Sequence, residues 1–540
     1  MLKCFALYVT IRTKGGIDRM KGTSKKIISV IMAVILVALT ATPAFATVDE
    51  NGDALPIVYV IGKVDVIYKD KSDPNSKVIY PVSLDGVDSK KFEELAKTFA
   101  YAYTHNKNEA AWDAYCDVLY DIISGVYADL TLNEDGEPKD NSGIIWDWKS
   151  DLRDTKAGGV YGLYDYTFHY DWRLDMFHNA ELLDEYINAV LEVTGARKCV
   201  LISRCYGCNL VGAYIQEYGS DKIDTNVLYC STAKGSIVCS EMFSGKMQLN
   251  PEGIQQYIRE MFGIDPVLAI MGEYIANYED TIKITSKVVN AVYAKICDRL
   301  MPRSLISSFA SMPGYWSMVE TEYYTGAKNF VFGNQKDKYA KLIDKIDYYH
   351  YTVFENIDSI LKQSERSGTK YAIITKYGNQ IVPAIKSSNY VGDGIVEVPS
   401  ASFGAKSVKR GESFSAEYLN NAVKNNTLDY ISPDYMIDAS SCMFPETTWF
   451  TEGVEHFDFP KSVDRLLLAI ARYDGPDQMT VDTNPEFPRY AKYAGEGNMM
   501  TWALNGYLKN STDSMAKLMK AVIAVFTVLL NVINAIFGSK

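Results

Sequence analysis

Cys205, Asp393 and His456 occur in the chain in the order nucleophile, acid, base. Cys205 lies in Ser203-Arg204-Cys205-Tyr206-Gly207, a pattern of small, any, nucleophile, any, small. Such a pattern suits a sharp turn between a strand and a helix, where residues two positions from the nucleophile must be small because backbones pass close to them. A cysteine fits that place, since unpaired N–H groups at a helix start favour the thiolate. A histidine beside it would take its proton and return it to a leaving group, and a carboxylate would fix the tautomer of that histidine. Asp393 lies in Gly392-Asp393-Gly394-Ile395-Val396, and of five histidines only His456 follows it. The oxyanion of such a reaction needs two backbone donors. One is expected at Tyr206, and the other in the turn after the first strand, at Lys63 or Val64, where the usual histidine-glycine signature is missing.

Each residue also has a plainer reading. The plainer alternative for Cys205 is a small buried apolar residue. With Cys208 it makes a C-x-x-C pair at a helix start, as in thiol oxidoreductases, although the flanking sequence is not thioredoxin-like. Asp393 reads as a solvated residue of a Gly-Asp-Gly turn, and His456 as a satisfied surface or core histidine. His169 and His178 flank Asp171 without the tight spacing of a metal site and read as packing or loop residues. No metal or other cofactor is expected.

The elements that must position these residues alternate as strand and helix. Pro56–Ile61 is a β-rich apolar run closed by Gly62, and 89–126 has helical periodicity. Residues 130–143 are a polar loop, and an aromatic strand follows within 162–173. A helix is expected over Ala180–Thr194, a strand over Lys198–Ile202, a turn over Ser203–Gly207, a helix over Asn209–Tyr218 and a strand over Asn226–Cys230. Residues 241–364 are mostly helical and interrupt the alternation, as a lid or cap over a site does. Alternation resumes at Tyr371–Thr375. The order implies an α/β fold with a mostly parallel sheet and helices on both faces. Its core is divided into 47–240 and 365–510 by the lid.

Composition is ordinary for a globular chain of 540 residues, with 47% hydrophobic and 23% charged residues. A net charge of −12 without a basic cluster argues against a nucleic-acid partner. Lys21, Lys25 and Lys26, the apolar run Ile27–Leu39 and Ala44-Phe45-Ala46 read as an export signal, with 1–19 a misassigned start; 1–46 are therefore set aside from the fold. The nine cysteines are scattered and suggest no dense disulfide framework. Residues 511–540 are expected to form an apolar C-terminal helix, whose stretch 518–537 falls near the roughly 20 apolar residues that spanning requires. Association with a membrane surface is expected there.

With these segments in view, the chain resembles the lecithin:cholesterol acyltransferase-like branch of the α/β-hydrolases. The resemblance is carried by Tyr170-Asp171-Trp172-Arg173, by Val200 to Cys208, by Gly392-Asp393-Gly394-Ile395-Val396, and by His456 before a terminal helix. It covers roughly 55–475 and is weak through the lid. It implies an α/β-hydrolase fold and an exported hydrolase or acyltransferase acting on lipid or other acyl esters, with Cys205, Asp393 and His456 as its triad. The elbow of that family is normally Gly-His-Ser-x-Gly-Gly, so this chain departs at Ser203, Arg204, Cys205 and Cys208. Polyhydroxyalkanoate synthases and dienelactone hydrolase are similar in having cysteine in this turn. A surface-attached protein of the same fold that has lost catalysis is the competing expectation.

Overall fold

The computed structural model describes residues 54–492, apart from 63–64, 83–86, 153–161, 263–276, 278, 389 and 476. The expected export signal, the C-terminal apolar helix, and Lys63 and Val64 lie outside the described residues.

Seven strands build the central sheet: β1 (Ile57–Val60), β2 (Tyr166–Phe168), β3 (Cys199–Arg204), β4 (Ile223–Tyr229), β5 (Lys370–Tyr377), β6 (Thr448–Glu452) and β7 (Tyr490–Lys492). Their order is β7-β6-β5-β4-β3-β1-β2, and every neighbouring pair is parallel. A parallel sheet has helices over both faces, so its strands are apolar on both sides. Accordingly every residue of β1 and β3 is buried. Alternate residues feed two cores. Val58, Val60 and Leu201 pack with Leu183, Ile187 and Val190 of α1 (Met176–Thr194) and with Leu210, Val211 and Tyr214 of α2 (Gly207–Tyr218). Ile57, Tyr59, Val200 and Ile202 pack instead with Leu466, Leu467 and Ile470 of α3 (Lys461–Ala471).

The chain runs outward from β1 to β2 at one edge and then returns to lay β3 on the other side of β1. From β3 onward it steps toward the opposite edge. The switch in direction therefore falls between β1 and β3, and in such sheets the crevice at the carboxyl ends beside the switch holds the ligand. Register aligns those ends: Val60 pairs with Ser203, Arg204 with Tyr229, Tyr229 with Ile374, and Tyr377 with Glu452.

Local chemistry moves some boundaries from those the periodicity suggests. α1 starts at Met176, not Ala180, because the Asp175 carboxylate accepts the Phe177 N–H at 3.2 Å and caps the helix. Ser203 and Arg204, expected in the turn, continue β3 because Leu228 and Tyr229 of β4 pair with them. The periodic stretch 89–126 divides into helices Ser89–Thr104 and Glu109–Tyr127. Between β4 and β5 the helices Pro251–Phe262, Glu279–Leu305, Thr321–Phe332, Ala340–Thr352 and Ile357–Arg366 form the helical insertion.

The Tyr170-Asp171-Trp172-Arg173 segment is a structural fastener. Arg173 donates to both oxygens of Asp171, at 2.9 Å from Nε and 2.7 Å from Nη2, and to the Leu130 carbonyl at 3.1 Å. Both side chains are buried, so each charge needs the other. Trp172 Nε1 donates to the Asp65 carbonyl at 3.2 Å, which ties this segment to the chain just beyond β1. His169 pairs with Asp65 across 2.5 Å while His178 is exposed, and neither belongs to a group of possible metal ligands among the described residues.

Candidate active site

Cys205 follows directly on β3 and Gly207 opens α2, leaving a two-residue turn. Cys205 has φ of 52°, the left-handed region that a non-glycine residue enters at a cost of about 1–3 kcal/mol. The turn is held in that shape by the Cys205 N–H, which donates to the Tyr229 carbonyl at 2.9 Å, and by the Cys208 N–H on the Cys205 carbonyl at 3.0 Å. Its sharpness accounts for the small neighbours. A Cβ on Gly207 would stand 2.4 Å from the Val60 carbonyl oxygen, and one on Gly62 would press on the Cys205 Cβ at 3.2 Å and the Tyr206 nitrogen at 3.3 Å. Gly62 thus keeps the ground beside the Tyr206 N–H free of side chain.

The sequence-designated acid and base reach the same place from neighbouring loops. Asp393 lies beyond β5, and His456 lies four residues after β6 ends at Glu452. His456 Nε2 is 2.9 Å from Cys205 Sγ, and its Nδ1 is 2.7 Å from Asp393 Oδ2. Asp393 is oriented in turn: its Oδ1 accepts the N–H groups of Ile395 at 3.0 Å and Val396 at 2.8 Å, as an aspartate in a Gly-Asp-Gly turn is placed to do. Its carbonyl accepts the His456 N–H at 2.8 Å, so the acid and base are joined by backbone as well as side chain.

Asp393 and His456 are buried, and Cys205 is partly exposed. Burial pushes the Cys205 thiol up, but the His456 ring, its hydrogen bond and the Arg204 guanidinium outweigh burial and bring it below the ordinary thiol range. Burial likewise opposes charge on His456, yet Asp393 and Cys205 hold the imidazole well above its usual value. Burial would raise Asp393, and the His456 charge, its hydrogen bond and the Val396 N–H reverse that and lower it. These directions favour a thiolate beside an imidazolium backed by a carboxylate, an arrangement able to attack a carbonyl carbon and then protonate the departing group.

Cys208 takes no part in it. Its thiol is buried against Ser203 Oγ at 3.3 Å, and burial pushes it up to about 12, far from the reactive thiolate a C-x-x-C redox pair requires. All described cysteines are free thiols.

Sequence reasoning missed further residues. Cys230 follows β4 as Cys205 follows β3, also with positive φ, 42°, and a ligand atom from each of Cys230, Asp393 and His456 lies within 4.8 Å of the others. Thiolate, imidazole and carboxylate suit zinc, but here the imidazole nitrogens already bond Asp393 and Cys205, so a metal would have to displace one of those bonds. Arg204 lies over the Phe459 ring and donates to the His456 carbonyl at 3.5 Å. Buried Lys376 also faces the histidine loop.

The helical insertion is fastened to the helix behind Cys205. Asn209 Nδ2 donates to the Ser317 carbonyl at 2.8 Å and Tyr349 donates to the Asn209 carbonyl at 3.2 Å, while Tyr206 in the turn donates to the Trp172 carbonyl at 2.7 Å and ties the turn to the Asp171–Arg173 segment.

A seven-stranded parallel sheet covered on both faces, with a strand–turn–helix at its switch point, defines an α/β fold. No family model and no curated protein matches the sequence. Among solved structures the chain is similar to one described as the crystal structure of the Tle4-Tli4 complex, with 14% identity and a TM-score of 0.18, over 35% of this chain and 48% of that one. It thus spans about half the length of that neighbour.

Proposed function

We propose that the protein is an acyl-ester hydrolase or O-acyltransferase that works through a thioester on Cys205. The observation that carries this reading is the single imidazole of His456 reaching Cys205 at 2.9 Å with one nitrogen and Asp393 at 2.7 Å with the other. In this mechanism the Cys205 thiolate attacks the ester carbonyl, forming the S–C bond and placing negative charge on oxygen. The Tyr206 N–H donates to that oxygen, with Lys63 or Val64 as the proposed source of the second donor. As the tetrahedral intermediate collapses, the C–O bond breaks and imidazolium protonates the leaving alkoxide. His456 then deprotonates water or an acceptor hydroxyl, which attacks the thioester and expels the thiolate. In the same reading the chain is exported, 518–537 holds it at a membrane surface, and lipid esters are its substrates.

Asp393→Asn tests the reading with little disturbance to the fold, because an asparagine oxygen can still accept the Ile395 and Val396 N–H groups. The amide cannot stabilise the imidazolium and can hold the wrong tautomer. Turnover of p-nitrophenyl butyrate should fall by about 10³–10⁴-fold, with KM little changed. A variant that keeps the parent's kcat would remove Asp393, and with it the triad, from the reaction.

A further inference from the structure

We propose that Lys376 is a positioning residue for His456, acting through the loop that carries the imidazole; this rests on the role proposed for His456. Lys376 is in β5, whose end faces the site, and is fully buried between the rings of Tyr229 and Phe459. Its ammonium group donates to the carbonyls of Glu455 at 3.0 Å, His456 at 2.9 Å and Asp458 at 2.7 Å. Three acceptors match the three N–H bonds of an ammonium group, so the lysine is saturated by this loop alone.

The loop from Gly453 to Pro460 contains no helix or strand, and needs outside partners to hold its shape. Its N–H groups are pinned at two points: Gly453 donates to the Tyr377 carbonyl at 2.8 Å and His456 to the Asp393 carbonyl at 2.8 Å. Lys376 draws the carbonyls of Glu455, His456 and Asp458, around and just beyond the second pin, inward to one point. Without the ammonium group these carbonyls lose their shared charged donor, the His456 carbonyl keeps only the long 3.5 Å bond from Arg204, and the loop would relax away from the sheet. His456 would move with it, losing its spacing to Cys205. Burying a lysine is costly, and burial lowers this one to about 8. Stability alone does not call for a charge here, because a well-packed apolar side chain is usually no worse.

The test uses Lys376→Met in the full chain, which keeps the length of the stem and removes the donors. Measured are kcat, KM, the thermal melt, and the pH profile of Cys205 alkylation by iodoacetamide. The expected result is a kcat lower by about 10²-fold at unchanged KM, the cost of a misplacement near 1 Å. The acid limb of the alkylation profile should also move to higher pH, because the imidazolium no longer sits beside the thiolate. A folded variant with the parent's kcat and profile, even with a lower melting temperature, would reduce Lys376 to a structural residue and overturn the proposal. If Lys376→Met does not fold, Lys376→Gln, which retains two donors for the polar loop, is judged by the same readouts. Failure of the His456 reading is distinguishable, because it appears without any change at Lys376, as an alkylation profile that His456→Ala leaves unmoved.

Discussion

Cys205→Ala should abolish turnover of short-chain ester probes, with kcat falling by about 10⁶-fold, the loss typical when the nucleophile of a covalent mechanism is removed. The size of the effect follows from the absence of a substitute. Cys208 is turned into the core with its thiol pushed up to about 12. Cys230 is fully buried, whereas Cys205 has exposed surface. The left-handed backbone at Cys205 disfavours alanine too, but hydrogen bonds from the Cys205 N–H and to its carbonyl do not depend on the side chain, so the turn should persist. Circular dichroism and a thermal melt separate loss of chemistry from loss of fold. Residual turnover near the parent's would show that the nucleophile is elsewhere.

The second large effect is at His456. His456→Ala should lower kcat by about 10⁵–10⁶-fold, since it removes at once the partner of the thiolate and the acid that protonates the leaving group. It also has a signature in thiol chemistry. Alkylation by iodoacetamide follows the thiolate, so in the parent its rate should be high at neutral pH and fall only as the pH drops through the lowered Cys205 pKa. In His456→Ala burial still raises the thiol, while the largest opposing influence is gone. Reaction at neutral pH should therefore be lost, and recovered only toward alkaline pH. An unchanged profile would mean that the imidazole does not set the state of Cys205.

The parts of this site that were legible in the sequence are those encoded locally. Apolar runs such as Ile57–Val60 and Cys199–Ile202 announce strands buried on both faces, and the small residues around Cys205 announce the turn, for a reason visible at Gly207, where the Val60 carbonyl leaves no room for a Cβ. Asp393 is marked by its flanking glycines, and His456 by the lack of any other histidine after it. The supports are encoded at long range. Lys376 stands one residue past the expected strand Tyr371–Thr375 and carries no local sign of its role until the loop around His456 closes over it, and Arg204 reads as a departure from a familiar elbow until Phe459 lies against it. Cys230 gave no local signal, being one cysteine at the end of an apolar run. Its placement beside His456 comes only from the register of β3, β4 and β5.

The central claim is that Cys205 carries the acyl group, and intact-mass spectrometry after rapid acid quench with p-nitrophenyl butyrate tests it most directly. The prediction is a mass increase of one butyryl group, released by neutral hydroxylamine as a thioester is, mapped by peptide sequencing to Cys205 and absent from Cys205→Ala. Trapping should be greatest in a His456 variant acylated with a more reactive thioester donor, because deacylation there lacks its base. An adduct mapped to another residue, or turnover with no adduct under conditions that capture a thioester, would contradict the account.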